Sequence, residues 1–235
     1  YIPDGKTNRI GKENSKKKDM IVIVITGQVA TGKSTLAKII KCQKYRVFDA
    51  DECAHNLLIN KAVKEEIKKC FKSKEKFIFD KNGKIDKSNL GAYVFANTKR
   101  LEKLELILHP KIREKQKLFL KHCSINKNKV VFLDIPLFNE TLHRKTHDYI
   151  ISMYVNKNIQ KQRILRRKNM SHKRMSFLLK KQEKLKKVFY SKFVTRINSG
   201  IGKNHVRKSF INFIKKVKQK KIKKIWPKQY NLNVK

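Results

Sequence analysis

Residues 27–34 read Gly-Gln-Val-Ala-Thr-Gly-Lys-Ser, and the β-branched run Ile21-Val22-Ile23-Val24-Ile25 stands just before them. A continuous run of this kind is what a strand buried on both faces requires. The following segment satisfies G-x-x-x-x-G-K-[ST] in full. Behind it, Ser34 to Lys41 reads as a helix. Few folds present a buried strand, a glycine loop and a helix in that order, so this one feature constrains the chain most. Its chemistry is legible. Gly27 and Gly32 allow backbone angles and close approach that a side chain would block. The loop amides can then turn inward around a phosphate, and the helix adds the positive end of its dipole. Lys33 is the expected partner of β- and γ-phosphates, and the Ser34 hydroxyl of Mg²⁺. The alternative is a strand-helix turn without a ligand, which does not require a lysine and a hydroxyl at these two places.

The remainder alternates strand and helix. Strands are expected over Tyr45–Phe48, Val130–Leu133 and Tyr149–Val155, and helices over Ala54–Phe71, Ile159–Arg167 and Ser171–Val188. Leu90 to Leu120 carries helical periodicity, with an interruption expected at His109-Pro110, because proline restricts the residue before it. Asp80-Lys-Asn-Gly83 signals a turn. Strands separated by helices imply a parallel sheet with right-handed crossovers. The expected class is α/β: a three-layer α/β/α core with a helical subdomain over about residues 56–122 and a helical lid over about 160–185.

Three further segments carry chemistry. Phe48-Asp-Ala-Asp-Glu52 ends the second strand at the sheet edge that holds the glycine loop, where ligands of such sheets bind. Asp49 and Asp51 would share one face of an extended strand, one orienting Mg²⁺ through water and the other accepting a proton. Equally, they could be solvated acids at a strand end, with Asp51 capping the next helix. Val130–Glu140 offers four apolar residues and then Asp134, the usual pattern of an acid that holds a Mg²⁺ shell. In Gln160–Arg174, Arg163, Arg166 and Arg167 are spaced to lie close together on a helix. Such a cluster either closes over a polyphosphate or is a solvated face. Ser171 fits a helix N-cap, and Met175, Leu178, Leu179 and Leu185 a core stripe.

The charge needs its own account. Sixty Lys+Arg against eighteen Asp+Glu leave a formal +42. A polyanion binder would show this balance. So would compositional drift, which 49 lysines against 11 arginines and only 8 glycines favour, since dedicated phosphate surfaces lean on arginine. No nucleic-acid partner is therefore expected. The apolar stretch Met20–Ile25 is far too short to cross a bilayer. Cys42, Cys53, Cys70 and Cys123 form no C-x-x-C pair, and no H-E-x-x-H occurs, so no zinc site is expected. Residues 1–19 read as a disordered basic leader and 219–235 as a basic tail.

Taken in order, these segments resemble the dephospho-CoA kinase family from about Met20 to Lys218. The resemblance is carried by IVIVITGQVATGKST, VFDADECAH, GKIDKSNLGAYVFANTKRLEKLELILHPKIREK, VVFLDIPLFNE and QKQRILRRKNMSHKRMSFLLKKQ. It implies transfer of the ATP γ-phosphoryl to the ribose 3′-hydroxyl of dephospho-CoA, with Mg²⁺. It also implies a monomer and a cytoplasmic location, with an organellar one left open. Carried over, Asp51 is the general base. Gly27, Gln28, Val29, Ala30, Thr31, Gly32, Lys33, Ser34 and Thr35 hold the nucleotide phosphates. Ser34 and Asp134 serve Mg²⁺. Arg163 is the lid arginine and Arg167 its partner. Lys87, His109 and Pro110 lie on the substrate side. The chain departs from the family at Gln28 and Ala30, where glycines are usual, and at Lys87, usually arginine. In Lys192–Gly200 only Asn198 and Gly200 fit the family's late strand. Two other readings compete: a nucleoside-monophosphate-type kinase with another acceptor, and a basic nucleic-acid-binding protein that retains the loop. Residues Gly83 to Lys115 discriminate the first, salt-sensitive binding indifferent to Lys33 the second.

Overall fold

The computed structural model describes residues 20–136, 147–167, 170–172, 175–176, 179–180 and 194–219. The basic leader, most of the tail and most of the helix expected over Ser171–Val188 lie outside the described residues. Five strands, β1 (Ile21–Gly27), β2 (Arg46–Asp49), β3 (Val130–Asp134), β4 (Tyr149–Tyr154) and β5 (Val194–Asn198), form one sheet in the order β2-β3-β1-β4-β5. Every pairing is parallel, as the strand-helix alternation predicts. The two faces separate by residue parity. Ile23, Ile25, Phe132, Ile151 and Met153 pack under α1 (Lys33–Cys42) and, C-terminal in the described chain, a helix over Lys203–Lys218. Val22, Val24, Val131, Leu133 and Ile150 face the other way, against Leu120 and Cys123. The three-layer core is thus a direct consequence of apolar residues at both parities.

The helical subdomain differs from the sequence expectation in three places. The segment expected as one helix, Ala54–Phe71, is two: α2 (Ala50–Leu57) and α3 (Lys61–Cys70). Asn60 breaks the run, its side-chain oxygen accepting from the amides of Ala62 and Val63, which favours a fresh start over continuation. After the short α4 (Glu75–Ile78) and α5 (Lys87–Phe95) comes α6, Thr98–Ile125. The interruption expected at His109-Pro110 falls instead at Asn97, whose side-chain oxygen accepts from the amides of Lys99 and Arg100 and starts α6 afresh, while α6 runs through Pro110 unbroken. A proline inside a helix forfeits one hydrogen bond and crowds the preceding turn, at about 3 kcal/mol. Burial on both sides outweighs that cost. Leu101, Leu104 and Leu108 lie in the subdomain core and Leu120 and Cys123 under the sheet, with Ile112 touching both clusters. One continuous helix therefore ties subdomain to core. Then α7 (Lys157–Leu165) follows β4, and α8 (Lys203–Lys218) closes the described chain. No helix among the described residues is long and apolar enough to cross a membrane.

Candidate active site

The parallel register brings two carboxylates to one edge of the sheet, and a third joins them from the following helix. Asp134, the last residue of β3, lies between Ile25 of β1 and Asp49 of β2. At the same edge the chain leaves β1 through the glycine loop into α1. Lys33, the first residue of α1, therefore sits directly over the strand ends. Its Nζ donates to Asp134 Oδ1 at 2.7 Å and lies 3.8 Å from Asp51 Oδ2. The two acids differ in setting: the Asp134 side chain is 3% exposed and that of Asp51 67%.

The Asp-Ala-Asp segment is not extended. The strand ends at Asp49, whose Oδ1 accepts from the Glu52 amide at 3.0 Å and so caps α2. The cap is Asp49, not Asp51, and Asp51 lies in the first helical turn. The two do not share a strand face. Asp51 reaches Lys33 because the helix turns it back over the strand end. Strand alternation gives way here because a cap, once made, sets the backbone.

Burial raises the Asp134 carboxyl above its ordinary range, and Asp49 and Asp51 add to the rise; the Lys33 ammonium opposes it and does not overcome it. Desolvation thus outweighs the ion pair. A proton held more tightly in the folded than in the unfolded state stabilises fully below the unfolded pKa. That stability is lost as pH rises through the raised folded value. Asp134→Asn removes the ionisation. In EDTA, the thermal midpoint of this variant relative to the parent chain should rise as pH is taken from below the carboxylate range to neutrality. A difference moving the other way would show that the ion pair dominates.

Close packing explains both loop glycines. A methyl on Gly27 would lie 2.7 Å from Thr31 Oγ1 and 2.8 Å from the Met153 carbonyl. Gly32 has φ 88°, and a methyl there would meet Ser199 Cβ at 2.8 Å. Gly32→Ala should weaken ADP binding by about tenfold or more, measured by calorimetry, since strain of about 1–3 kcal/mol falls on the loop itself. Unchanged affinity would mean the loop does not carry the phosphates.

Ala30 adopts φ 60°, a conformation glycine takes far more readily than alanine. Neighbouring elements hold it there. Arg163 Nη1 donates to the Ala30 carbonyl at 3.4 Å and to Ser199 Oγ at 2.8 Å, and Nη2 donates to the Ser199 carbonyl at 3.1 Å. Gln160 Nε2 donates to the Val29 carbonyl at 2.8 Å. A cavity of about 430 Å³ opens beside the loop, lined by Gly32, Ser34, Thr35, Arg163, Arg167 and Lys203 among others. Helix α7 ends at Leu165, two residues short of the expected boundary, yet Arg167 still reaches the cavity.

Lys33, Asp51, Asp134, Arg163 and the loop 27–35 are thus gathered into one region. Lys87, His109 and Pro110 are elsewhere, exposed on α5 and α6 of the helical subdomain. Residue spacing missed Ser199, Lys203 and Val206 as cavity walls. Ser199 had one signal, the turn-forming run Asn198-Ser199-Gly200; Lys203 and Val206 had none. The donor set suits Mg²⁺: a desolvated carboxylate with too little counter-charge, further acids beside it, and the Ser34 hydroxyl at the mouth. Among the described residues no group of three or more His, Cys, Asp or Glu could cage a metal alone, the usual situation where phosphate oxygens and water complete a Mg²⁺ shell.

The family described as dephospho-CoA kinase (CoaE) matches residues 21–202. The chain belongs to the dephospho-CoA kinase family. A dephospho-CoA kinase of Fusobacterium nucleatum is 35% identical over 173 residues, 72% of this chain and 86% of that protein. One of Helicobacter pylori is 39% identical over 148 residues, 62% of this chain and 71% of that one. A dephospho-CoA kinase structure from Campylobacter jejuni superposes with a TM-score of 0.54 at 27% identity, covering 83% of this chain and 96% of that one. A Thermus thermophilus structure, TT1252, superposes with 0.63 at 24% identity over 83% and 96% of the two chains, and supports the fold. Membership in the dephospho-CoA kinase family makes ATP the expected phosphoryl donor for the loop.

Proposed function

We propose that the chain transfers the γ-phosphoryl of ATP to the ribose 3′-hydroxyl of dephospho-CoA, giving coenzyme A and ADP. The observation that carries this reading is Lys33, held between Asp134 and Asp51 at the mouth of the loop, in a chain matched by the family over residues 21–202. The loop amides and Lys33 bind and orient the triphosphate. The exposed Asp51 carboxylate accepts the proton of the 3′-hydroxyl as its oxygen bonds to the γ-phosphorus and the bond to the β-bridging oxygen breaks. Ser34 and Asp134 would hold Mg²⁺, which supplies charge neutralisation at the phosphates. Arg163 and Arg167 bring cationic charge to the cavity beside the loop, which Ser34 also lines. The helical subdomain, with Lys87, His109 and Pro110, is assigned to dephospho-CoA, within a catalytic unit spanning 20–218, substrate side about 56–122 and lid about 160–185.

Placement rather than covalent chemistry accounts for most of such a rate. The test is coenzyme A formation from Mg-ATP and dephospho-CoA by the purified chain, followed by chromatography. Product at a rate first order in enzyme is expected. ADP binding without product would exclude dephospho-CoA and direct attention to another acceptor.

A further inference from the structure

We infer that Gln160 is a positioning residue for nucleotide binding: its amide holds the Val29 carbonyl outward and thereby aims the Ala30 N–H into the phosphate loop. The inference rests on the loop binding nucleotide phosphates, but not on the identity of the acceptor. Gln160 is 5% exposed, projecting from α7 into the outer side of the loop. Its Nε2 donates to the Val29 carbonyl at 2.8 Å and to Gln28 Oε1 at 3.3 Å. A buried amide that reaches across 131 residues to one carbonyl restrains that peptide unit more than it stabilises the helix bearing it.

The geometry of the peptide does the rest. In a trans peptide the C=O and the next N–H point in opposite directions. With the Val29 carbonyl turned toward α7, the Ala30 N–H must face the loop interior. The adjoining carbonyls are held as well. Gln28 O accepts from Thr31 Oγ1 at 2.7 Å, and Ala30 O from Arg163. The clamp matters in this chain because Ala30, not glycine, occupies φ 60°. An L-residue is biased against that conformation by roughly five- to thirtyfold, whereas glycine takes it about as readily as negative φ. Without the clamp, the peptide between Val29 and Ala30 would relax by flipping, and the binding-competent fraction would fall. Apparent affinity falls in proportion to that fraction.

The decisive experiment is calorimetric titration of ADP into the full chain and three variants: Gln160→Met, Ala30→Gly and the double variant. Methionine keeps the length and burial of the side chain and removes the donor. Gln160→Met should weaken ADP about tenfold. Ala30→Gly alone, which keeps the N–H and frees φ, supplies the reference for the double variant. In the Gln160→Met background the same glycine should recover about fivefold, the bias against Ala30 having been removed. Binding within twofold of the parent in Gln160→Met overturns the inference. So does a loss that glycine fails to recover, the result a general disruption of α7 would give. A parent chain that binds ADP but forms no coenzyme A would sink the proposed reaction while leaving the clamp standing; a parent chain that binds no ADP would sink the clamp.

Discussion

Asp51→Asn is expected to cut coenzyme A formation by about 10³-fold, within the 10²–10⁴ range of a lost general base, while ADP affinity stays within about twofold. Asparagine keeps the shape and cannot take up the proton. The reason for the split is geometric. Asp51 is 67% exposed and 3.8 Å from Lys33, so its attraction for the lysine is largely screened and contributes little to the structure. What it holds is a position at the mouth of the loop, in the first turn of α2. Initial rates at saturating ATP, beside calorimetry with ADP, make the comparison. A variant that retains more than about a tenth of the parent rate would remove Asp51 from the role of base.

Lys33→Met is expected to act on rate and stability together. The rate should fall by about 10²–10³-fold, the usual consequence of removing one preorganised cation from developing charge. Stability should fall because Asp134, 3% exposed, loses its 2.7 Å partner. A hydrogen bond to a charged group contributes about 2 kcal/mol, or several degrees in thermal midpoint for a domain of this size. The double variant Lys33→Met with Asp134→Asn should then recover the midpoint, because no buried charge remains to be compensated, and should recover no activity. Recovery of neither would mean that Lys33 acts on the fold through packing of its aliphatic stem. Recovery of both would detach the ion pair from catalysis altogether.

Most of the fold was legible because apolar periodicity is a local property. The run Ile21–Ile25 reads as a strand buried on both faces and Val130–Leu133 as a further strand; they are paired neighbours, with Ile21–Ile25 in the central strand of the sheet. Helical subdomain boundaries were less legible. Asn60 was a start signal inside a helical pattern, and its capping role outweighed the periodicity. At Pro110 the local rule for a break was sound, and packing on two separate cores overrode it. The site divided in the same manner. The glycine loop and Lys33 could be named from spacing because one loop supplies them all. The partnership of Lys33 with Asp134 could not, since 101 residues separate them.

The sequence by itself determined the phosphate-binding chemistry, because the glycines, the lysine and the serine act within eight consecutive residues whose backbone follows local rules. It determined the parallel α/β class for the same reason. Tertiary structure alone decided which acid is buried against Lys33 and which side chains hold the loop open. Those outcomes depend on strand register and on helix packing, where distant residues meet and desolvation sets their charges. Gln160 and Ser199 acquire their meaning only there, as neighbours of an alanine held in a glycine's conformation.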